Sequence, residues 1–189
     1  NSEGRHTEAI YRFRKIMVKI PDEEQAEYLT VTFDVHAPTY RHEMYADYKG
    51  TRKHMAEELR QQVPVIKDVL RAMNIEIIEK AGLEADDLLG TISCMCEDEG
   101  MDVSIISGDR DTLQLATEHV KIQITKTKQG KTEVEDYNAG DVKEKYGVTP
   151  KEFIDVKALM GDASDNIPGV PGVGEKTATK IIQEYHTIE

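Results

Sequence analysis

Short apolar segments rich in β-branched residues recur along this chain and constrain its fold more than any other feature. Tyr28–Phe33, Ile75–Ile78 and Val103–Ile106 have the length and composition of buried strands. Helical patterns separate these segments, and strands that alternate with helices favour a mainly parallel, doubly wound α/β sheet. The 189 residues suffice for one such domain with a hydrophobic core, with or without a small appendage.

The helices between the strands are marked by apolar periodicity. From Leu59 to Met73, apolar residues recur at three- and four-residue steps, which indicates an amphipathic helix that Pro64 should kink or restart. A second helix is predicted over Ala85–Glu97 and is ended by Gly100.

The last third of the chain changes character. A weaker strand, Val120–Ile124, precedes turn-like residues 128–131, and Thr132–Glu135 is predicted to return as its hairpin partner. The chain is then helical from Asn138, becomes glycine-rich and ends in a helix that begins near Glu175.

Composition excludes several classes of protein. The hydrophobic content of 39% and the charged content of 32% are typical of soluble globular proteins. No apolar run approaches roughly 18 residues, and the first residues lack the basic-then-apolar order of a signal peptide, so a cytoplasmic location is expected. Cys94 and Cys96 are the only cysteines, and their spacing within a helix favours small, reduced interior residues over a metal clamp or a disulfide.

The formal net charge of −12 argues against a protein that coats nucleic acid through bulk positive charge. It does not exclude a nuclease, because acids gathered around metal ions would concentrate negative charge locally. Eight acids fall in four groups that follow predicted strands or a glycine. They are Asp34; Glu84, Asp86 and Asp87; Asp109 and Asp111; and Asp162 and Asp165.

The fourth group of acids gives the pattern its chemical meaning. Each of the other groups alone is explained as a helix cap or a solvated turn. Asp162 and Asp165, however, are spaced i,i+3 on one side of an expected helical turn, inside an otherwise apolar segment. In open α/β sheets reactive groups gather beyond the carboxyl ends of strands, and oxygen ligands suit magnesium or manganese more than zinc. Two such ions, about 4 Å apart, can hold a phosphate and activate a water.

With these residues assembled, the chain strongly resembles the 5′ nuclease domains joined to bacterial DNA polymerase I, in the flap endonuclease superfamily. The resemblance runs over nearly the whole chain. It rests on motifs that occur in the family's order: residues 33–34 and 48–52, Glu84–Asp87, Ser107–Asp111, Gly161–Asn166 and Gly169–Ala178. Several long motifs in one order are far more specific than any one of them.

The resemblance implies a resolvase-like (PIN-like) nuclease core over residues 1–135 and a helical region over 136–189. It implies that the eight acids above line a site for two ions of Mg²⁺ or Mn²⁺. It also implies a helical arch over about residues 37–56, most of which is formed by Ala37–Arg52. A single 5′ strand would pass through or beneath this arch. Basic Arg41, Lys49 and Arg52 would contact phosphates and offset charge in the transition state. Tyr40 and Tyr48 would stack on unpaired bases.

The glycine-rich segment resembles the family's helix-hairpin-helix, expected at about residues 165–189. Its backbone amides would contact DNA phosphates without reading sequence. The positions implied are Gly169, Gly172, Gly174, Lys176 and Thr177. A potassium ion at the hairpin carbonyls is a further expectation from the family.

The implied function is divalent-metal-dependent 5′-3′ exonuclease and 5′-flap endonuclease activity in DNA replication and repair, with a polymerase in the same parent chain. Two departures qualify it: His54 and Ala56 stand where the family has prolines, and the family's first strand, with its metal-ligand aspartate, is expected to precede Asn1. A structure-specific DNA-binding fragment without cleavage is therefore the alternative. A haloacid-dehalogenase-like phosphohydrolase fits poorly, since His36 stands where a second aspartate is needed.

Overall fold

The computed structural model describes residues 6–128 and 131–189 and contains two compact units. The first consists of the chain up to Ala37 together with Lys53–Ala85, and the second of Pro38–Arg52 together with Asp86–Glu189. In chain order the helices are α1 (Glu8–Glu24), α2 (Tyr40–Met44), α3 (Glu57–Arg60), α4 (Gln62–Ala72), α5 (Ala85–Asp98), α6 (Ala139–Tyr146), α7 (Pro150–Met160) and α8 (Glu175–Tyr185). The strands are β1 (Thr30–Thr32), β2 (Glu76–Ile78), β3 (Val103–Ser107), β4 (Val120–Lys128), β5 (Lys131–Tyr137), β6 (Gly161–Asp162) and β7 (Ile167–Pro168).

The first unit is a parallel pair of strands covered by helices. β1 and β2 pair in parallel from Thr30 opposite Glu76 to Thr32 opposite Ile78. A core around Met17, Ile66 and Leu70 joins α1 and α4 to these strands. The sequence patterns did not predict α1, which is rich in basic residues on its outer face.

The predicted helix from Leu59 to Met73 is divided into α3 and α4 at Gln61. Pro64 lies in the first turn of α4. Backbone N–H groups in a first turn make no hydrogen bond within the helix, so proline, which has no N–H, is tolerated there. The predicted restart is therefore confirmed. The Gln62 side chain also accepts a hydrogen bond from the Ala9 N–H at 2.9 Å, which ties the start of α1 to α4.

The second unit contains a three-stranded sheet in the order β3–β4–β5. β3 and β4 are parallel, and β4 and β5 form the predicted antiparallel hairpin, with longer strands than the sequence indicated. The turn residues Gln129 and Gly130 lie outside the described residues. The sheet packs on α6, α7 and α8 through a core that includes Leu113, Ile122 and Ile182, all fully buried.

The α/β class and the parallel strand pairs are as predicted, but two local expectations are wrong. Cys94 is exposed, because it lies on the outer face of α5, so it is not an interior residue. Asp162 is the last residue of β6 and Asp165 lies in the β6–β7 turn, so neither lies on a helical turn. Among the described residues, no helix combines the length and apolar character that crossing a bilayer demands.

Two glycines explain why this hairpin replaces a helical turn. Gly161 ends α7 with a φ of +72°, and a Cβ at this position would lie 2.2 Å from the Gly169 nitrogen. The two backbones therefore touch, which only glycine allows. The Val170 N–H donates a hydrogen bond to the Leu159 carbonyl at 2.8 Å, which holds the glycine-rich segment against the end of α7.

Candidate active site

Two of the predicted acidic groups meet at a lysine in the second unit. Asp111 lies in the 3₁₀ turn that follows β3, and Asp162 lies at the start of the β6–β7 turn. The Lys157 ammonium, from the last turn of α7, lies 2.9 Å from Asp111 Oδ1 and 2.8 Å from Asp162 Oδ2. The fold thus brings together carboxylates that are 51 positions apart in the sequence.

The electrostatics of this trio follow from partial burial. Burial raises the pKa of Asp111 above its ordinary value, against the opposing effect of Lys157. Burial also acts to raise the pKa of Asp162, but hydrogen bonds from Lys157 and Ser164 outweigh it and hold the pKa well below the usual range. Burial alone would lower the pKa of Lys157, whereas its bonds to the two carboxylates raise it. Lys157 is therefore a charged ammonium at neutral pH.

The turn after Asp162 is organised by its own side chain. Asp162 Oδ1 accepts hydrogen bonds from the Ser164 N–H at 2.7 Å, the Ser164 hydroxyl at 2.6 Å and the Asp165 N–H at 3.3 Å. Asp109 plays a similar part after β3, where its Oδ1 accepts the Asp111 N–H at 2.9 Å. Each acidic pair is thus held in a fixed turn by local side-chain to backbone bonds.

Asp165 is the anchor for the basic segment that follows α2. Its Oδ2 accepts the Tyr48 hydroxyl at 3.1 Å, and its Oδ1 pairs with the Arg52 guanidinium. Its backbone carbonyl accepts the Lys49 N–H at 2.8 Å. Asn166 adds a bond from its side-chain amide to the Asp47 carbonyl at 2.8 Å. Two stretches of chain predicted as arch and metal loop therefore form one hydrogen-bonded structure.

Arg41 and Asp87 are also joined. The two guanidinium nitrogens donate to the two carboxylate oxygens at 2.8 and 2.7 Å. Arg41 additionally stacks over the Tyr40 ring, with its guanidinium carbon 4.6 Å from the ring centroid. Tyr40 is 42% exposed, so its ring remains accessible for a planar ligand.

Tyr48 does not fit its predicted role. Only 5% of its surface is exposed, its ring packs edge-on against His42, and its hydroxyl is bonded to Asp165. A ring buried in this way is not available to stack on a base, so Tyr48 is a structural residue here. The ammonium of Lys49 lies 5.0 Å from the same ring centroid.

The arch shows less helix than the resemblance implied. Within Pro38–Arg52, the helical part is the five-residue α2, and the chain continues in turns through Thr51. Thr39 begins α2 with a capping box completed by His42. The contacts to Asp165 and Asn166 hold these turns in place.

The remaining acids lie at the start of α5. Asp34, which follows β1 in the first unit, accepts the Ala85 N–H at 2.7 Å. Glu84 directly precedes α5, and Asp86 is exposed in its first turn. Anionic side chains are favoured at this end of a helix by its dipole.

The glycine-rich segment leads to an open helix start. α8 begins after Gly174 with no side-chain cap among the described residues, and Gly172, Gly174, Lys176 and Thr177 are all exposed. Gly169 is half-buried because it packs against the end of α7. An uncapped, exposed helix N-terminus is suited to bind an anion through its backbone amides.

Within the described ranges, no three His, Cys, Asp or Glu side chains are arranged to hold a metal ion. Several carboxylates that were predicted as metal ligands instead form ion pairs with Lys157, Arg41 and Arg52. Sequence reasoning missed Lys157, although one signal was present: it is the single charge in the apolar run Val156–Met160, five residues before Asp162.

Parallel strands followed by carboxylates, a basic segment bonded to one of them, and a glycine-rich turn before an uncapped helix together define the 5′ nuclease class. A model of the 5′-3′ exonuclease N-terminal resolvase-like domain matches residues 1–147. A model of the 5′-3′ exonuclease C-terminal SAM fold matches residues 148–189. The chain therefore belongs to the 5′-3′ exonuclease family.

Full-length relatives support the same placement. The chain is 47% identical to DNA polymerase I of Bacillus caldotenax and 45% identical to that of Bacillus subtilis (strain 168), over all 189 residues. It spans 21% of the length of each relative.

Solved structures agree with the fold. The bacteriophage T5 D15 protein co-crystallised with metal ions superposes with a TM-score of 0.79 at 28% identity, covering 97% of this chain and 74% of that one. The T5 D15 flap endonuclease in a complex with DNA and metal ions gives a TM-score of 0.78 at 28% identity, covering 95% and 68%. The catalytic core of Rad2 with DNA substrate, at 21% identity and a TM-score of 0.55, covers 83% and 47% and shows the fold alone.

Proposed function

We propose that this chain is the 5′ nuclease region of a bacterial DNA polymerase I, and that it hydrolyses DNA phosphodiester bonds at 5′ ends and flaps with divalent metal ions. The observation that carries the proposal is the meeting of Asp111 and Asp162 at one cation. Two carboxylates brought to one place repel each other unless a cation lies between them. A site for cations explains the convergence.

The donor set fits hard divalent ions, because it consists of carboxylate oxygens. In the second unit the side chains that would hold such ions are Asp86, Asp87, Asp109, Asp111, Asp162 and Asp165. Asp34 and Glu84 of the first unit are proposed as further ligands. When bound, two Mg²⁺ or Mn²⁺ ions supply an activated water and a clamp for the scissile phosphate. The T5 D15 relatives crystallised with metal ions support this assignment.

The protein's own part is to position the phosphate and balance its charge. Arg41 and Arg52 present guanidinium groups beside the acids, and Lys49 adds an ammonium. Phosphate contacts from these groups would stabilise the charge that develops in the transition state. Arg41 and Arg52 would contact the phosphate through the guanidinium groups that here pair with Asp87 and Asp165.

The hairpin supplies a second, sequence-independent contact. The exposed amides at the start of α8, with Lys176 and Thr177, would bind a DNA phosphate, and Tyr40 would stack on an unpaired base. A potassium ion at the hairpin carbonyls belongs to the same proposal. The division into a core with an arch, residues 1–135, and a helical DNA-binding region, 136–189, is likewise proposed.

The direct test is metal-dependent cleavage of a 5′-flapped DNA by the polymerase that contains this region. Asp109→Asn and Asp162→Asn are expected to reduce both cleavage and calorimetric Mg²⁺ binding. Lys49→Ala and Arg52→Ala are expected to reduce cleavage while metal binding persists. Asp136→Asn, an acid on the outer strand β5, is the charge-matched control.

Three results separate the alternatives. Metal-dependent cutting that fails in the aspartate variants supports the nuclease. Tight flap binding with no cutting by the wild-type protein would favour the DNA-binding alternative. Unchanged Mg²⁺ binding in both aspartate variants would remove these carboxylates from the site.

A further inference from the structure

Lys157 has a role that neither the predicted acids nor the basic arch explains. It comes from α7, whose neighbouring Val156 is buried in the core, so the lysine stem is fixed at its base. Its ammonium contacts Asp111 and Asp162 at once, and 26% of its side chain is exposed. The two acids are 35% and 18% exposed. This is a partly buried bridge and not a flexible surface pair.

The bridge joins two motifs that local structure alone cannot hold together. Asp111 is fixed by the turn after β3, and Asp162 by the β6–β7 turn. Without a cation between them, the two carboxylates would face each other in a partly dehydrated environment and repel. Lys157 supplies that cation from within the chain.

We propose that Lys157 is a positioning residue that holds Asp111 and Asp162 together in the metal-free protein, and that its ammonium leaves these carboxylates when a divalent cation binds. The inference rests on the proposed metal site. The lysine serves as an internal counter-ion, which stabilises the empty site and weakens metal binding by competition. The metal, when it binds, meets two carboxylates that are already held together.

Removing the ammonium should therefore have opposite effects on the empty and loaded states. Lys157→Met keeps the length and apolar character of the stem but leaves two carboxylates unneutralised. The empty protein should unfold at a lower temperature, and each divalent ion should bind more tightly, since no bound cation has to be displaced. Lys151→Met, on the exposed first turn of the same helix, makes the same change in net charge away from the acids.

The experiment measures Mg²⁺ and Mn²⁺ affinity by calorimetry, and thermal unfolding in EDTA and in saturating Mg²⁺, for the polymerase-linked protein. We expect Lys157→Met to bind the metal on the order of tenfold more tightly than the wild type. Its melting temperature should fall in EDTA and recover in Mg²⁺. Lys151→Met should show neither change beyond the small effect of one distant charge.

A measurement on the unaltered protein guards against a variant that does not fold. The Lys157 side-chain ¹³Cε and ¹⁵Nζ NMR signals, assigned with Lys157→Arg, should shift towards those of a solvated lysine as Mg²⁺ is added. Signals that do not move while calorimetry reports binding would overturn the proposal. Equal or weaker metal binding by Lys157→Met than by Lys151→Met would also overturn it. A wild-type protein that binds no divalent ion would instead refute the proposed function.

Discussion

Arg41 and Asp87 form a bidentate ion pair in which each terminal guanidinium nitrogen donates a hydrogen bond to one carboxylate oxygen. Arg41 was predicted to bind phosphate and Asp87 to bind metal, yet in this structure the two side chains form a salt bridge with each other. With Lys157 and Arg52, this makes three basic side chains bonded to acids that were predicted as metal ligands. The predicted site therefore carries its own neutralising cations.

The strength of this ion pair should depend on metal. A double-mutant cycle with Arg41→Ala and Asp87→Asn, measured by urea unfolding in EDTA, should give a coupling free energy of about 1 kcal/mol, because the pair is bidentate and partly buried. In saturating Mg²⁺ the coupling should approach zero. A coupling that is unchanged by Mg²⁺ would show that Asp87 keeps its arginine when metal binds.

The Tyr48 hydroxyl gives a second test, because it links the basic segment to Asp165. Tyr48→Phe keeps the buried ring and removes one hydrogen bond, so it should cost about 1 kcal/mol of unfolding free energy. It should also speed amide hydrogen exchange at Lys49, whose N–H donates to the Asp165 carbonyl. Tyr48→Ala should cost about 3–5 kcal/mol through loss of the ring. Unchanged exchange at Lys49 in Tyr48→Phe would separate the hydroxyl from the anchoring of this segment.

The sequence was informative wherever a periodic pattern coincided with a local stop signal. Val103–Ile106 is rich in β-branched residues, precedes a glycine turn and forms most of β3 in the structure. The hairpin of β4 and β5 and the start of α8 at Glu175 followed from the same kind of evidence. Asp34 lies two residues after β1 and Asp109 two residues after β3, as the predicted strand ends implied.

What the sequence did not predict depends on contacts between distant residues. An i,i+3 spacing fits a helix and a tight turn equally well, and the contact between Gly161 and Gly169 decides for the turn. The burial of Tyr48 depends on Asp165, which is 117 positions away. Lys157 looked like an ordinary helical lysine, since its partners come from other elements.

The capping box of α7 gives a pH-dependent prediction. Glu152 accepts the Thr149 N–H at 2.8 Å, and its other oxygen contacts His186 at 2.9 Å. The backbone bond from Thr149, followed by the His186 contact, holds the pKa of Glu152 below its ordinary value. A lowered carboxyl pKa means that the ionised group stabilises the fold above the unfolded value of about 4.3, and that this contribution is lost as the pH falls through the folded pKa.

Glu152→Ala should therefore destabilise the protein by about 1 kcal/mol at pH 7, and by progressively less as the pH is lowered from about 4.3 towards 3. Urea unfolding at a series of pH values measures the difference. Glu144→Ala, at an exposed acid of α6, is the control and should show little change at any pH. A wild-type to variant difference that stays constant from pH 7 to 3 would contradict the role of the charged carboxylate.

The contact between Gly161 and Gly169 makes the sharpest structural prediction. Gly161→Ala places a methyl group 2.2 Å from the Gly169 nitrogen and 2.7 Å from the Ile167 carbonyl oxygen, both rigid backbone atoms. It also imposes a φ of +72° on a residue with a side chain. Together these should cost about 3–5 kcal/mol of unfolding free energy.

Gly172→Ala separates the two causes of the lost stability, the collision with backbone atoms and the positive φ. Gly172 has a φ of +81°, and nothing lies within 4 Å of an added Cβ, so the variant carries the backbone strain without the collision and should lose only about 1 kcal/mol. Because Asp162 directly follows Gly161, Gly161→Ala should also weaken calorimetric Mg²⁺ binding, whereas Gly172→Ala should leave it unchanged. If both variants lost the same stability, the close approach of the two backbones would not constrain this hairpin. If Gly161→Ala bound Mg²⁺ like the wild type, the hairpin would not be what places Asp162.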